Sequence, residues 1–416
     1  MSSNARISDN VACSFHLPET VLRSIRSHTV AQDLTSNPPM AFVLPQSTRK
    51  FAFNRADHVG SFLRPPAVHE SRKAFKEKTL DAAGLRKVED AEISTLVGEQ
   101  RAVGIKSISD GEFRREYFHL DFIEHLEGIK ISANTLPGQK DEATIPTITV
   151  VGKLKHVKPI QLADYQFLAK RIDPSKKEVV KVAIPSPTMV HFRGGRSSID
   201  IAAYPNLDEF FEDLAAAYRE EIKILADAGC KYLQLDDTNL AYLCDLKMRE
   251  AAAGRGEDLN TLPRQYAQLI NAALRDRPAG MTVGIHLCRG NFRSRHFAEG
   301  GYEPIAQVLF QELDVDVYFL EFDTERAGTF EPLRFLPKGE KVVILGLVSS
   351  KIPELESKEY IKGRIAEAAK FAPLEQLGLS PQCGFSSTVH GNEITVADQW
   401  AKMKLVEEIA SEVWGA

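Results

Sequence analysis

The chain has 416 residues, of which 43% are hydrophobic and 26% charged, a composition that excludes a disordered or fibrous protein. Its 52 Lys and Arg residues against 57 Asp and Glu residues give a formal net charge of −5, the opposite of a nucleic-acid-binding surface. No stretch approaches the roughly 18 consecutive apolar residues of a membrane helix, and residues 1–20 contain no apolar block of signal-peptide length. These features predict a cytoplasmic protein without membrane or nucleic-acid partners.

Residues 1–50 are predicted to form an N-terminal extension outside the chemistry of the protein. They contain clusters of Ser, Thr, Asn and Pro with weak periodicity. Three acidic residues, Asp9, Glu19 and Asp33, weaken the alternative of a transit peptide. Residues 51–416 are predicted to form one domain.

From residue 53 onward, an amphipathic helix, a glycine and a short apolar strand recur along the chain. In one such unit Asn206 is a helix cap with Glu209 three residues later, Gly229 ends the helix, and the following strand delivers Asp236 at its carboxyl end. Further helices are predicted over Glu89–Gly104, Ile305–Leu313 and Ile361–Gly378.

The strands of these units predict the fold. They are predicted at Phe53–Val59, Ile105–Asp110, Lys181–Ile184, Tyr232–Leu235, Met281–Ile285, Val317–Glu321, Lys341–Leu345 and Leu379–Cys383. Eight strands alternating with helices most simply close into an α/β (β/α)₈ TIM barrel. The rival, an open doubly wound sheet, normally carries a G-x-G-x-x-G motif that this chain lacks. Residues 143–151 alternate and are rich in Thr, Ile and Val, which predicts a β-rich insertion over about 135–180.

Four metal-capable side chains fall at the ends of three predicted strands. His286 and Cys288 close the fifth strand, and side chains two apart on a strand point the same way. Glu321 ends the sixth strand and Cys383 the eighth. A barrel brings these ends together, and one His, two Cys and one Glu suit Zn²⁺. For the H-x-C pair alone, a buried Cys beside a packed His remains the alternative.

These residues resemble the zinc ligands in the C-terminal catalytic barrel of cobalamin-independent methionine synthase. The motifs that carry the resemblance are His286-x-Cys288, Phe319-Leu-Glu321 and Gln382-Cys383-Gly384. Similarity extends from about His58 to Trp414. Full-length members have a second, N-terminal barrel that this chain lacks, so it is most similar to the short single-barrel relatives. The resemblance implies a methyltransferase of methionine biosynthesis that uses Zn²⁺, a small-molecule thiol and a methyl donor.

The same resemblance implies substrate-binding residues at other strand ends. Gly60 and Ser61 look like the substrate-holding turn after the first strand, and Glu112 like the acidic turn after the second. Asp236 looks like the active-site carboxylate that holds the α-ammonium group of the substrate. For both acidic residues, a solvated carboxylate near a helix cap is the alternative.

One position departs from the full-length enzymes. They have a His in the loop after the seventh strand that is thought to help protonate the leaving folate nitrogen, whereas this chain has Val348 at the position that appears equivalent. Valine cannot transfer a proton. His58 and His390 are the candidates to replace it, although each is also compatible with a structural hydrogen bond. The methyl donor is therefore left open between methyl-folate and another compound.

Three other functions fit parts of the pattern. Alkyl transfer to another thiol, such as coenzyme M, would use the same zinc site. A decarboxylase-like barrel of the uroporphyrinogen type would not need the four ligand residues together. A binding protein would retain a structural zinc without turnover. The sequence does not determine the oligomeric state.

Overall fold

The computed structural model describes residues 53–132 and 146–415. The extension predicted over residues 1–50 lies outside this part of the chain. None of the helices in the described ranges is long and apolar enough to cross a membrane.

Most of the strands in the described residues belong to one parallel sheet. Their bounds are β1 Ser107–Ile108, β2 Glu127–Ser132, β3 Thr147–Lys155, β4 Val179–Pro185, β5 Tyr232–Asp237, β6 Thr282–Leu287, β7 Val317–Glu321, β8 Val342–Val348 and β9 Leu377–Pro381. The sheet has seven strands in the order β1, β4, β5, β6, β7, β8, β9. Strands that follow one another in the chain are therefore neighbours in this sheet, and their carboxyl ends lie at one edge.

The first described segment lies between β9 and β1 and completes the barrel. Leu379 donates its N–H to the carbonyl of Arg55 at 2.7 Å and accepts a hydrogen bond from the N–H of Asp57 at 3.1 Å. On the other side, the ring of His58 lies 2.6 Å from the carbonyl oxygen of Ser107. The predicted TIM barrel is thereby confirmed. The first predicted strand forms a single bridge to β9, between Ala56 and Leu379, rather than a regular ladder. On the β1 side, the side chains of Asn54 and His58 bind Ser107.

Helices follow the parallel strands and cover the sheet. Their bounds are α1 Pro66–Lys76, α2 Ala82–Ala102, α3 Leu120–Ile123, α4 Leu162–Ala169, α5 Leu207–Asp227, α6 Asn239–Tyr242, α7 Leu246–Gly254, α8 Leu262–Leu274, α9 Lys358–Ala368 and α10 Val396–Trp414. Buried apolar side chains from helices and strands together form the main core.

α5 begins and ends where the local sequence predicts. Asn206 lies at the N-cap and accepts a hydrogen bond from the N–H of Asp208 at 2.8 Å. Gly229, with φ of 97°, adopts a left-handed conformation just after the last turn. Glu209 does not complete a capping box, because its carboxylate forms an ion pair with Lys153 of β3.

The segment predicted as a helix over Ile305–Leu313 is helical, but it does not form one regular α-helix. A 3₁₀ turn at Glu303–Ile305 is followed by a π-helical turn at Val308–Glu312. The carbonyl of Glu312 accepts a hydrogen bond from Nδ2 of Asn271 in α8 at 2.7 Å. Packing against α8 thus satisfies one of the terminal carbonyls that a helix leaves without an internal partner.

β2 and β3 form an antiparallel pair outside the barrel sheet. β3 overlaps the alternating segment 143–151, but its partner β2 begins at Glu127, before the predicted insertion over about 135–180. α4 lies within the predicted insertion, and residues 133–145 lie outside the described part of the chain. The insertion and the domain bounds at 51 and 416 stay predictions.

A buried ion pair lies inside the barrel, below the strand ends. Lys181 of β4 lies 3.1 Å from Oδ1 of Asp57, and both side chains have 0% exposure. The hydroxyl of Tyr232 donates to Asp57 Oδ2 at 2.8 Å, and Lys181 Nζ lies 3.9 Å from the ring centre of Phe319. Both aromatic residues belong to a buried apolar cluster from β5, β7 and β8. The lysine is therefore satisfied only by groups of the barrel interior.

Replacing Lys181 by methionine should lower the free energy of unfolding by about 3–5 kcal/mol, because it leaves the buried Asp57 carboxylate without its cation. Urea denaturation would measure the loss. The matched control is Lys153→Met, which removes a half-exposed ion pair and should cost no more than about 1 kcal/mol. Equal, small losses in the two variants would contradict the structural role of the buried pair.

Candidate metal centre

Four metal-capable side chains lie together at the carboxyl-terminal end of the barrel. His286 is on β6, Cys288 follows that strand, Glu321 ends β7, and Cys383 lies just beyond β9. Their ligand atoms all lie within 4.8 Å of one another, and all four residues are buried. The structure therefore brings together the four residues that the sequence analysis proposed as one cluster.

Two glycines allow the strand ends to approach one another at this cluster. A Cβ at Gly346 of β8 would lie 2.7 Å from Cα of Gln382 and 2.9 Å from the carbonyl oxygen of Leu320. A Cβ at Gly384 would lie 2.0 Å from Oγ of Ser61. Interiors are close-packed, so a side chain at either glycine would push apart the segments that carry the ligand residues.

The cluster fits a tetrahedral metal ion. The Sγ atoms of Cys288 and Cys383 are 3.4 Å apart, near the edge of about 3.8 Å expected for a tetrahedron with metal–sulfur bonds of about 2.3 Å. Neither ring nitrogen of His286 has a hydrogen-bond partner of ordinary geometry, whereas buried polar atoms are normally paired. One imidazole nitrogen, two sulfurs and a carboxylate oxygen are suitable ligands for a borderline-soft divalent ion.

Glu321 is held as a carboxylate within this cluster. Burial opposes ionisation, but the positive charges of Lys351, Arg326 and Arg289 outweigh it and lower the pKa of Glu321 to about 2. Arg326 Nη2 lies 3.1 Å from Oε2 of Glu321, and the backbone N–H of Arg289 donates to Oε1 at 2.9 Å. The cluster thus offers an ionised oxygen ligand at neutral pH.

The two thiols titrate as a pair. The hydrogen bond from Cys288 lowers the pKa of Cys383 well below its usual range, although burial opposes this, and His286 acts in the same direction. That hydrogen bond and burial together raise the pKa of Cys288. A metal ion that binds both sulfurs must displace the remaining thiol proton, so metal affinity should rise with pH.

Two buried carboxyl groups, Glu112 and Asp236, adjoin the metal-ligand cluster. Asp236 is the residue of β5 paired with His286 of β6, and it accepts a hydrogen bond from Gln234 Nε2 at 2.6 Å. Glu112 Oε2 has no hydrogen-bond partner, and Arg115 Nη1 lies 4.0 Å away. Burial raises the pKa of Asp236 to about 6 and that of Glu112 to about 8, and the charge of Asp236 adds to the effect at Glu112. A cation bound between them would favour ionisation of both carboxyl groups.

Gly60 and Ser61 support this acidic pair. Gly60 has φ of 135°, and a Cβ there would lie 3.3 Å from Oε1 of Glu112. The Oγ of Ser61 accepts a hydrogen bond from the N–H of Ser386 at 3.2 Å, which ties the first turn to the turn after β9. Both residues therefore position groups around the site, and direct contact with a substrate remains a prediction.

Two other polar residues have partners within the fold. Asp237 accepts a hydrogen bond from the N–H of Leu240 at 2.8 Å and so caps the turn that follows β5. His58 must carry its proton on Nε2, because the partner of that atom is the carbonyl of Ser107. Burial and the charge of Lys181 lower the pKa of His58 to about 4. The geometry does not favour His58 as a proton donor to substrate, and its catalytic role stays a prediction.

The loop after β8 contains a buried cation that the sequence analysis missed. Val348 is the last residue of β8 and is fully buried. Three residues later, Lys351 is 8% exposed, and its Nζ has no hydrogen-bond partner among the described residues. Lysines are usually solvated, so the residue type did not predict a buried cation here. Its position at the same barrel end as the metal-capable residues is the signal that identifies it. His390, the other candidate proton donor, is exposed and lies against Phe292.

The fold and the site together define a TIM barrel with a buried candidate metal centre and an acidic pair at the carboxyl ends of its strands. Residues 55–404 match the family model of the cobalamin-independent synthase catalytic domain. The chain belongs to this family, as the sequence motifs predict.

Individual relatives support this assignment. The chain is 43% identical over 371 residues to YxjH, an uncharacterized protein of Bacillus subtilis, with 89% of this chain and 97% of YxjH covered. A solved structure of a putative vitamin-B12-independent methionine synthase from Listeria monocytogenes has 37% identity and a TM-score of 0.72, and covers 88% of this chain and 100% of that one. The 5-methyltetrahydropteroyltriglutamate–homocysteine methyltransferase of Campylobacter jejuni is 22% identical over 396 residues, which are 91% of this chain and 47% of that protein. The chain therefore matches about half of this longer relative.

Proposed function

We propose that the protein is a zinc-dependent methyltransferase that transfers a methyl group to the sulfur of homocysteine and so forms methionine. The observation that carries the proposal is the position of two buried carboxyl groups, Glu112 and Asp236. Asp236 pairs with His286 in the sheet, and His286 clusters with Cys288, Cys383 and the ionised Glu321. A thiol bound at the cluster would have these carboxyl groups within reach of its amino-acid end. Family membership supports the same reaction class.

A zinc ion held at these four residues would deprotonate a substrate thiol that took a fifth position or replaced one of the ligands. A thiol with a pKa of about 8.5 is only about 3% thiolate at pH 7, so coordination would increase the reactive fraction about thirtyfold. The chain supplies the conditions for this binding. Arg326 and the N–H of Arg289 keep Glu321 ionised and oriented, and two sulfur ligands make the site electron-rich.

Asp236 and Glu112 would hold the α-ammonium group of homocysteine. Both carboxyl groups are buried, and Glu112 Oε2 lacks a hydrogen-bond partner that an ammonium N–H would supply. A bound ammonium would also reduce the repulsion between the two carboxylates. This arrangement would fix the amino-acid end of the substrate. Holding the sulfur, the methyl group and the leaving group in line can lower the activation barrier of such reactions by up to about 7–11 kcal/mol.

The methyl donor is methyl-folate or another methyl compound. The Campylobacter relative that is named for a methyl-pteroyltriglutamate reaction is about twice as long as the matched region. The sulfonate thiol coenzyme M is the alternative acceptor, but its negative charge would approach the Asp236 carboxylate.

Methionine formation tests the proposal. Zinc-loaded protein should consume homocysteine and form methionine with methyl-folate monoglutamate, methyl-folate triglutamate or another methyl donor. Mass spectrometry of the product, with a heavy-isotope methyl group on the donor, would follow the transferred carbon. Thiol binding without methylated product from any donor would instead support a binding protein with a structural metal.

A further inference from the structure

The loop after β8 is held tightly against the turn that carries Cys383. The N–H of Ser350 donates to Oε1 of Gln382 at 2.6 Å, and its Oγ donates to the carbonyl of Gly384 at 3.1 Å. Nδ2 of Asn392 donates to the carbonyl of Ser350 at 2.7 Å. These bonds fix the backbone next to Lys351 relative to the metal-ligand cluster.

Lys351 differs from the other buried lysines of the described chain. Lys181 donates to Asp57 and to a backbone carbonyl, and Lys402 donates to Glu356 and to another carbonyl. Lys351 Nζ is equally buried but has no hydrogen-bond partner. An unpaired buried ammonium group costs folding free energy. We therefore expect its partner to arrive with the substrate.

The ammonium group of Lys351 is near enough to the metal-ligand cluster to interact with it electrostatically. Its positive charge favours the ionised forms of Glu321 and Cys288. A second buried donor, Nε2 of Gln382, also lacks a partner, and the other end of that amide binds the residue preceding Lys351. Two unpaired buried donors therefore belong to segments that are hydrogen-bonded to each other beside Cys383.

We propose that Lys351 donates the proton that the leaving group of the methyl donor requires; this inference rests on the proposed methyl transfer. When the donor is an N-methyl amine, the thiolate sulfur supplies the electron pair of the new S–CH₃ bond. The N–CH₃ bond breaks with its electron pair on nitrogen, and that nitrogen takes a proton from the ammonium of Lys351. The products are the thioether, a neutral amine and neutral lysine, which regains its proton from water when the amine leaves.

Other residues considered for this step lack suitable geometry. Val348 has no proton to give, and the proton of His58 is directed at the carbonyl of Ser107. A departing amine nitrogen that received no proton would leave as a strongly basic anion. General acid catalysis by a positioned side chain typically contributes about 100- to 10,000-fold to a rate.

Single-turnover methyl transfer to homocysteine from methyl-folate monoglutamate tests the proposal. Lys351→Met should slow transfer by about 100- to 10,000-fold. Lys351→Arg should be similarly slow, because guanidinium keeps the charge but does not release its proton at neutral pH. Zinc content by metal analysis and homocysteine affinity by calorimetry should stay at the wild-type level in both variants. The matched control is Lys341→Met, which changes a partly buried lysine just before β8, at the end of the strand opposite Lys351, and should keep wild-type transfer.

A sulfonium donor separates proton donation from a general effect on the site. When S-methylmethionine is the donor, the leaving group is methionine, a neutral thioether that needs no proton. Lys351→Met should therefore transfer this methyl group within about threefold of the wild-type rate. Recovery of folate turnover in Lys351→Arg, or equal losses with both donors, would overturn proton donation and assign Lys351 an electrostatic role. Wild-type turnover of the sulfonium alone would also overturn it. Wild-type turnover of neither donor at full zinc content would overturn the inference and, if no other methyl donor serves, the proposed function with it.

Discussion

We expect the purified protein to contain about one zinc per chain, and Cys383→Ser and His286→Ala should each release it. Each change removes one of four ligands from a buried tetrahedral site, and such sites rarely tolerate the loss. Metal analysis after dialysis should show at least about a tenfold fall in retained zinc, and methionine formation should fall in parallel. This effect should be the largest of any single change, because binding and activation of the thiol depend on the same ion.

A matched control separates ligand loss from the general loss of a buried thiol. Cys230 is buried to a similar extent, but its Sγ contacts only the carbonyl of Tyr232 and lies outside the cluster. Cys230→Ser should therefore retain about one zinc per chain. Full zinc retention in both Cys383→Ser and His286→Ala would show that the four residues are not the ligands.

Asp236→Asn should raise the KM for homocysteine about ten- to hundredfold while zinc stays bound. The substitution keeps the size of the side chain but removes the charge that attracts the α-ammonium group. A charge-assisted hydrogen bond of this kind is worth about 1.5–3 kcal/mol, which corresponds to that range. Steady-state kinetics with homocysteine and metal analysis of the same preparation would measure both quantities.

The wild-type protein should also prefer homocysteine to coenzyme M by about ten- to hundredfold. Coenzyme M has no ammonium group, and its sulfonate would be repelled by the carboxylate of Asp236. Asp237→Asn is the matched control on the same strand, since Asp237 caps the turn at Leu240. Because Asn caps a helix about as well as Asp, this change should alter stability little and leave the KM unchanged. Unchanged kinetics in Asp236→Asn, or equal use of the two thiols by the wild type, would limit Asp236 to a structural role.

Much of the fold could be predicted because helix and strand periodicity are local properties of the chain. The unit from Asn206 to Asp236 contains its own cap, apolar face, glycine stop and strand, and all appear in the structure. The Ile305–Leu313 segment shows the limit of this reasoning. Its apolar spacing is compatible with a helix of either kind, and the contact of Glu312 with Asn271 in α8 accompanies the π-helical turn.

The residues of the candidate metal centre could be predicted for a related reason. Cys288, Glu321 and Cys383 each follow an apolar run, and a closed parallel barrel brings all such strand ends to one side. Residue type and strand register were therefore sufficient to group them. The resemblance to a known family added the roles of Glu112 and Asp236, which composition and spacing alone left open.

The sequence by itself determined the eight-unit alternation, the caps of individual helices and the four metal-capable groups at strand ends, because each depends on neighbours within a few residues. Only the tertiary structure decided which polar groups are paired. It bound His58 to Ser107, buried Glu112 beside Asp236, and left Lys351 without a partner next to the cluster. Burial and hydrogen bonding depend on segments far apart in the chain, and they set the charge and orientation of an ionisable side chain more strongly than its residue type does.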